Sequence, residues 1–248
     1  MWGKEIVAKE RFPKRYRHPE LDVTLRKHRT RGEARALAKC MEAGIPVPAL
    51  LHCDLNTMTL YMRHIRGHTA KHVISGCEER EDTEGVMGIC REMGTLIGRL
   101  HKSGLVHGDL TTSNFVKPSP EHYYAHTETE RERETEGEGE TEGEGETEGD
   151  VAMDADTPSP TADTHPCPLH VIDLGLASVS SQAEERAVDM YVLERALIAT
   201  HKDSESMMDA CVCAYRQVMG DKITDEVLKR YEKVRGRGRK KGEKVPGQ

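Results

Sequence analysis

Several features that mark other classes of protein are scarce in this chain of 248 residues. Aromatic residues make up 4% of the sequence, with two Phe and one Trp. The seven Cys form no C-x-x-C pair and no metal-ligand spacing, which argues against a zinc site or a disulfide scaffold. No apolar run approaches the roughly 18 residues that a membrane-spanning helix needs, so no membrane partner is expected. Because the chain also starts without an apolar signal segment, we predict a reduced intracellular protein.

The acidic charge of the chain is concentrated in one segment. Residues 121–168 contain sixteen acidic residues against two Arg, whereas the other 200 residues contain 34 basic against 27 acidic ones. Within this segment, residues 126–150 repeat the unit TEGEGE, a composition that buries no apolar surface and repels itself. We therefore predict a disordered acidic insert over 121–168. The basic remainder favours an anionic partner such as nucleic acid.

The most informative pattern joins HGDLTTSN, which begins at His107, to IDLG, which begins at Ile172. The two strings supply Asp109, Asn114 and Asp173 in the order and spacing typical of protein-kinase-like phosphotransferases. Phosphoryl transfer needs a carboxylate to accept the proton of the attacking hydroxyl, and oxygen ligands to hold magnesium. Asp109 is therefore the predicted base, and Asn114 and Asp173 are the predicted metal ligands. The alternative is that His107 and Asp109 form a hydrogen-bonded pair that only stabilises the loop.

Apolar periodicity and Gly/Pro punctuation predict an α+β fold, with strands in the first part and mainly helices in the second. Gly67 is the predicted hinge between the two parts. Strands are predicted at residues 5–10, 49–53, 59–65, 115–116 and 169–172, and helices at 29–42, 69–74, 84–102, 188–200, 205–219 and 223–234. The acidic insert then falls inside a hairpin, which the fold can tolerate because loop-closure entropy grows slowly with loop length.

The same strings resemble a known family. The chain is similar to the small atypical kinase/ATPase subunits of the KEOPS (EKC) complex, the family of tumour-suppressor-related protein kinases. The resemblance spans nearly the whole chain except the acidic insert. It implies a two-lobed protein-kinase-like fold, with a small lobe of an incomplete β-sheet and one helix at 1–65, a mainly helical lobe at 66–120 and 169–234, and a basic tail at 235–248. The strings that carry it are KERFPKRYRHPELD from Lys9, EARALAKCMEAGIPVP from Glu33, GLVHGDLTTSN from Gly104, IDLGLA from Ile172, VDMYVLERALIATH from Val188 and VRGRGRKK from Val234.

The resemblance also implies a function. It implies binding of ATP and Mg²⁺, Ser/Thr protein kinase and ATPase activity, and support of threonylcarbamoyladenosine formation at position 37 of tRNA. The implied partners are the threonylcarbamoyl-transferase subunit, a small subunit that binds the first lobe, and tRNA, and the implied location is the nucleus and cytoplasm. Two alternatives remain. One is a small-molecule phosphotransferase of the aminoglycoside or choline kinase type, which usually has an acidic residue where this chain has Leu174; the other is a non-catalytic scaffold.

Further roles follow from the resemblance outside these central strings. Lys9 takes the place of the strand lysine that contacts the α/β-phosphates, and Glu33 takes the place of the helix glutamate that holds this lysine. Met62 and Ile65 fall at the adenine-binding hinge, with core packing as the alternative for both. Asp189 is expected to support the backbone of the catalytic loop together with the histidine of HGDLTTSN.

Three departures from the family affect the expected mechanism. Gly108 lies where kinases generally have Arg, so no cation is present there to bind a phosphorylated activation loop. Fifteen residues separate Asp173 from Asp189, too few for a peptide-docking platform, which favours ATP hydrolysis or autophosphorylation. The Gly-rich strand pair that precedes the lysine in the family is missing from the eight residues before Lys9, so weaker nucleotide binding and a small lobe without two strands are expected.

Dense positive charge marks the last part of the chain. Flexible Arg and Lys interspersed with Gly suit phosphate backbones and give salt-dependent binding. A solubilising tail or a nuclear-import signal is the alternative. The residues predicted to contact tRNA or a partner are Arg235, Arg237, Arg239, Lys240 and Lys241.

Overall fold

The computed structural model describes residues 5–120 and 168–242, with side chains up to residue 237. Its elements make an α+β fold, as predicted. The described strands are β1 (Ile6–Glu10), β2 (Leu50–Asp54), β3 (Thr59–Arg63), β4 (Gly67–Thr69), β5 (Leu105–Val106), β6 (Phe115–Pro118), β7 (His170–Val171) and β8 (Ser178–Val179). The described helices are α1 (Pro19–Glu42), α2 (Ala70–Glu79), α3 (Thr83–Lys102), α4 (Ala183–Thr200), α5 (Ser204–Met219) and α6 (Asp221–Gly242).

The first lobe is a three-stranded antiparallel sheet with one long helix. β1 and β2 both pair with β3, which places β3 in the centre of the sheet. α1 begins at Pro19, ten residues before the predicted start. Pro suits the first turn of a helix. The carboxylates of Glu20 and Asp22 stabilise the same turn, because they interact favourably with the positive end of the helix dipole. Asp22 is buried and accepts a hydrogen bond from Arg26, one turn further on, at 2.7 Å.

The second lobe is mainly helical and carries two small antiparallel sheets. β6 pairs with both β4 and β7, and β5 pairs with β8. α3 and α5 pack with their backbones in close approach, because a Cβ atom at Gly94 would lie 2.1 Å from the carbonyl oxygen of Cys211. Next to the first lobe, the N–H of Val171 donates to the carbonyl of Pro46 at 2.9 Å. This bond places the end of β7 beside the first lobe.

Glu92 of α3 fastens the two strands that flank the acidic segment. Its carboxylate accepts hydrogen bonds from Lys117 Nζ at 2.6 and 2.8 Å and from the N–H of Leu169 at 3.2 Å. β6 and β7 are therefore held together independently of the length of their connection. The predicted disordered insert at 121–168 lies outside the described residues, apart from Pro168.

The last helix corrects the predicted boundary of the basic tail. α6 continues to Gly242, eight residues past the predicted end at 234, so residues 235–242 are helical. Arg and Lys are good helix formers, and two ion pairs to α4 hold this part of the helix. Arg235 lies 3.0 Å from Glu194, and Arg237 lies 2.8 Å from Glu184. Across the described ranges, none of the helices is long and apolar enough to cross a membrane.

Candidate active site

Lys9 lies at the centre of a charged cluster between the two lobes. Its ammonium group is 2.7 Å from Glu33 Oε1 and 2.6 Å from Asp173 Oδ1. The Glu33 side chain, from α1, is 1% exposed, whereas the Asp173 side chain, after β7, is half exposed. Lys9 therefore contacts two residues that were predicted from separate parts of the sequence, one in each lobe.

Asp173, one of the two predicted metal ligands, has a strained backbone close to the other, Asn114. Its φ is 55°, a left-handed conformation that is uncommon outside Gly and concentrated at functional sites. The preceding residue, Ile172, donates its N–H to the carbonyl of Asn114 at 2.9 Å. Burial alone would raise the pKa of Asp173, but the hydrogen bond and charge of Lys9 outweigh it and the pKa is lowered. An ionised carboxylate is therefore held beside Asn114.

A buried carboxylate fixes the backbone of the loop that carries Asp109. Asp189, from α4, accepts the N–H of His107 at 2.6 Å and the N–H of Gly108 at 2.8 Å. It also accepts a hydrogen bond from His101 at 3.2 Å. Burial alone would raise the pKa of Asp189, but these hydrogen bonds outweigh it and the pKa is lowered. The contacts of Asp189 agree with its predicted role as a support residue.

The imidazole of His107 ties the loop to the strand before Asp173. Its Nδ1 accepts the N–H of Asp109 at 3.3 Å, and its Nε2 donates to the carbonyl of Ile172 at 3.1 Å. Asn114 donates its side-chain N–H to the main-chain carbonyl of Asp109 at 2.7 Å, which orients the amide group. His107 thus bonds the backbone of Asp109 and leaves the exposed carboxylate of this residue to other groups.

Gly108 is required by the backbone of the loop. Its φ is +80°, and a Cβ atom at this position would lie 2.6 Å from the carbonyl oxygen of Leu176. Any side chain here would be strained and would push against the turn that follows Asp173. The absence of the usual Arg therefore has a steric reason in addition to its electrostatic consequence.

A cavity of about 430 Å³ opens beside Lys9, within the size range of small-molecule sites. Met62 and Ile65 line it, so the structure places both predicted hinge residues at this cavity. Apolar side chains form much of the wall, and the three residues of the charged cluster also line it. The remaining lining residues are Val7, Lys9, Glu33, Leu37, Pro48, Arg63, His64, Gly67, Thr69, Val116, Ile172 and Asp173.

The predicted metal ligands suit magnesium only with help from a ligand. Asn114 and Asp173 offer an amide oxygen and a carboxylate, which are the hard oxygen donors that Mg²⁺ prefers. Among the described residues, no group of three or more His, Cys, Asp or Glu side chains could hold a metal ion. Mg²⁺ is commonly held by one or two protein ligands together with substrate phosphates. The residues present therefore fit a magnesium–nucleotide complex.

Three residues of the site were missed at the sequence level. Arg11, which follows β1 two residues after Lys9, pairs with Glu33 through Nη2. The period of two along a strand could have signalled this pair. His101 and Tyr215, which contact each other at 3.0 Å beneath Asp189, are 114 positions apart, and no local pattern predicts them.

The structure describes two of the five basic residues that were predicted to contact tRNA or a partner. Arg235 and Arg237 pair with carboxylates of α4, at 3.0 and 2.8 Å. The side chains of Arg239, Lys240 and Lys241 lie outside the described residues. The tRNA or partner contact of all five residues stays a prediction.

A strand lysine paired with a helix glutamate, followed by an HGD loop and a second Asp, defines a protein-kinase-like chain. The RIO domain model matches residues 3–123. EKC/KEOPS complex subunit Tp53rkb of Mus musculus is 33% identical, covering 96% of this chain and 80% of its own length. EKC/KEOPS complex subunit bud32 of Dictyostelium discoideum is also 33% identical, covering 97% and 77%. The chain belongs to this family of EKC/KEOPS complex subunits.

One solved structure that matches this chain is the Rio2 kinase–ADP/Mg²⁺–phosphoaspartate complex from Chaetomium thermophilum. It is 13% identical with a TM-score of 0.46, covering 93% of this chain and 60% of that chain. Membership of the EKC/KEOPS family does not favour the small-molecule phosphotransferase that the sequence left open.

Proposed function

We propose that this chain is an ATP-dependent kinase/ATPase subunit of a KEOPS complex in the nucleus and cytoplasm. In that complex it supports the formation of threonylcarbamoyladenosine at position 37 of tRNA. The observation that supports this proposal most directly is the contact of Lys9 with both Glu33 and Asp173, at 2.7 and 2.6 Å. The 33% identity to an EKC/KEOPS subunit over 96% of the chain supports the choice of complex.

The proposed nucleotide position follows from the cavity. The adenine would lie against Met62 and Ile65, and the phosphates would reach the charged cluster at Lys9. A lysine at this place neutralises phosphate charge, and Glu33 holds its ammonium group in position. Oxygen atoms of Asn114 and Asp173 would hold Mg²⁺, which neutralises the charge that develops on the phosphates.

Asp109 is the proposed base. Its carboxylate is exposed at the end of the loop and would accept the proton of the attacking hydroxyl or water. The backbone beneath it is fixed by Asp189 and His107, so the carboxylate needs little reorganisation when it accepts the proton.

Water is the proposed main acceptor of the phosphoryl group. β8 pairs with β5 directly after the turn at Asp173, and α4 begins at Ala183. The chain between Asp173 and α4 is thus short and held against the second lobe, which leaves little surface for a protein substrate. This favours ATP hydrolysis, or autophosphorylation, over phosphorylation of other proteins.

The test is magnesium-dependent ATP hydrolysis by the purified chain, alone and with the threonylcarbamoyl-transferase subunit and tRNA. We expect turnover in the full mixture and loss of turnover for Asp109→Ala, since this variant lacks the base. Asp209→Ala, which changes an exposed Asp on α5, serves as the matched control. Turnover that persists in Asp109→Ala would contradict the proposed base, and nucleotide binding without turnover in every mixture would favour the scaffold alternative.

A further inference from the structure

Glu33 has two cationic partners, one for each carboxylate oxygen. Lys9 Nζ contacts Oε1 at 2.7 Å, and Arg11 Nη2 contacts Oε2. Lys9 lies in β1 and Arg11 directly follows this strand, two residues further on, and both side chains point towards Glu33. The Glu33 side chain is 1% exposed and that of Arg11 is 15% exposed, which makes this a largely buried pair.

Lys9 is shared, whereas Arg11 has no other acidic partner among the described residues. The ammonium group of Lys9 also lies 2.6 Å from Asp173. If Lys9 turns towards nucleotide phosphates, its contact with Glu33 weakens. A buried carboxylate that loses its cation is strongly destabilised, and Glu33 would then tend to leave the site. Arg11 supplies a second positive charge that keeps Glu33 in place.

Arg11 also lies against the turn that carries Asp173. A Cβ atom at Gly175 would be 3.0 Å from Arg11 Nη2, 3.0 Å from Asp173 Oδ1 and 3.4 Å from Glu33 Oε2. The backbone of Arg11 is fixed as well, because its N–H donates to Met58 at 3.1 Å and its carbonyl accepts from Arg26 at 3.2 Å. Arg11 thus connects β1, α1 and the turn at Asp173.

We propose that Arg11 is a positioning residue that holds Glu33, and through it Lys9, in the orientation needed for phosphate transfer. This inference rests on the proposed ATP-dependent function. It explains how α1 is fixed in a chain whose Gly108 offers no cation to a phosphorylated loop.

The experiment compares four variants with the unchanged chain: Arg11→Gln, Arg11→Lys, Glu33→Gln, and Arg11→Gln combined with Glu33→Gln. Arg35→Gln is the matched control, since Arg35 is an exposed arginine of α1. The kinetic readout is kcat and KM for magnesium-dependent ATP hydrolysis in the full mixture. A second readout needs no nucleotide: hydrogen–deuterium exchange of the backbone around residues 30–37 and 173–177.

We expect Arg11→Gln to lower kcat about tenfold, with a much smaller change in KM and a nearly unchanged Tm. Arg11→Lys should restore most of kcat, because the pair uses Nη2 alone and the buried Nη1 has no hydrogen-bond partner among the described residues. The double variant should be no worse than Glu33→Gln, since both changes break the same contact. Exchange in both segments should rise for Arg11→Gln and stay unchanged for Arg35→Gln.

Two results would overturn the inference: an Arg11→Gln variant with the kcat of the unchanged chain, or effects of Arg11→Gln and Glu33→Gln that simply add. An activity loss that follows Tm, without rescue by Arg11→Lys, would reduce Arg11 to a stabilising residue and also overturn it. If the unchanged chain binds no magnesium–ATP, the proposed function fails. The exchange measurement then tests the role of Arg11 without nucleotide. Equal hydrogen–deuterium exchange of the two segments in Arg11→Gln and Arg35→Gln would reject that role.

Discussion

The two halves of the active site are held by different kinds of interaction. In the first lobe, Lys9 and Glu33 are joined by an ion pair, and Lys9 is 30% exposed and shared with Asp173. In the second lobe, Asp189 is buried and accepts two backbone N–H groups. Lys9 has two carboxylate partners, so it can lose one contact and keep the other. The N–H groups that Asp189 accepts have no second acceptor in the part of the chain that the structure describes. The candidate site thus combines a half with shared, partly exposed contacts and a half with buried, fixed contacts.

This difference has an energetic consequence. A partly exposed ion pair contributes about 0–1 kcal/mol to stability because water screens it. A buried donor that loses its acceptor raises the free energy of the folded state by about 1–3 kcal/mol. Loss of Asp189 should therefore lower stability much more than loss of Lys9, although either loss should abolish activity.

The largest expected effect is that of Asp189→Ala. This change leaves the N–H groups of His107 and Gly108 and the ring of His101 without their acceptor. We expect the free energy of unfolding to fall by at least about 3 kcal/mol, since three donors each lose an acceptor at about 1–3 kcal/mol. The measurement is urea unfolding at pH 7, followed by circular dichroism.

Asp209→Ala again serves as the matched control, and its unfolding midpoint should equal that of the unchanged chain. If the free energy of unfolding of Asp189→Ala lies within about 1 kcal/mol of that of the unchanged chain, the proposed difference between the two halves is wrong. A surface substitution has effects of about this size.

A smaller effect on stability is expected for Lys9→Met. Arg11 still neutralises Glu33 in this variant, so the free energy of unfolding should change by less than about 1 kcal/mol. ATP turnover should nevertheless be lost, because no cation then reaches the phosphates. Urea unfolding and ATP hydrolysis on the same preparation measure both quantities. A destabilisation as large as that of Asp189→Ala would show that the first half is as rigid as the second.

The same contrast explains which parts of the site the sequence could predict. Asp109, Asn114 and Asp173 belong to short strings whose spacing is set by the chemistry of phosphoryl transfer, and Lys9 follows from the family resemblance. The structure places Lys9 in contact with Asp173 and Asn114 beside Asp109, as this spacing requires. The contact of His101 with Tyr215 was missed, because it joins residues 114 positions apart and no local pattern links them.

The fold shows a similar division between local and distant causes. Strand β1 and the helix that carries Glu33 follow from local patterns. The helical residues 235–242 did not follow, since ion pairs to a separate helix hold them. The early start of α1 at Pro19 was missed although its signals are local, namely the Pro, the acidic first turn and the pair of Asp22 with Arg26. Basic and Gly-rich composition suggested a tail, and only the carboxylates of α4 reveal a helix end that is held in place.

The smallest and most specific effect concerns pH. The pKa of Asp189 and that of Asp173 are both lowered from an ordinary value of 3.8, in spite of burial, by hydrogen bonds in the folded chain. A group with a lowered folded pKa adds stability above its unfolded pKa, and this contribution is lost as the pH falls through the folded pKa.

The stability advantage of the unchanged chain over Asp189→Asn should therefore be constant from about pH 7 to 5 and shrink below about pH 4. Asp173→Asn should show the same trend with a smaller amplitude, because Asp173 is half exposed and solvent screens its contacts. Urea midpoints of the three proteins between pH 7 and 3 provide the measurement, and an advantage over Asp189→Asn that grows as the pH falls would contradict the assigned direction.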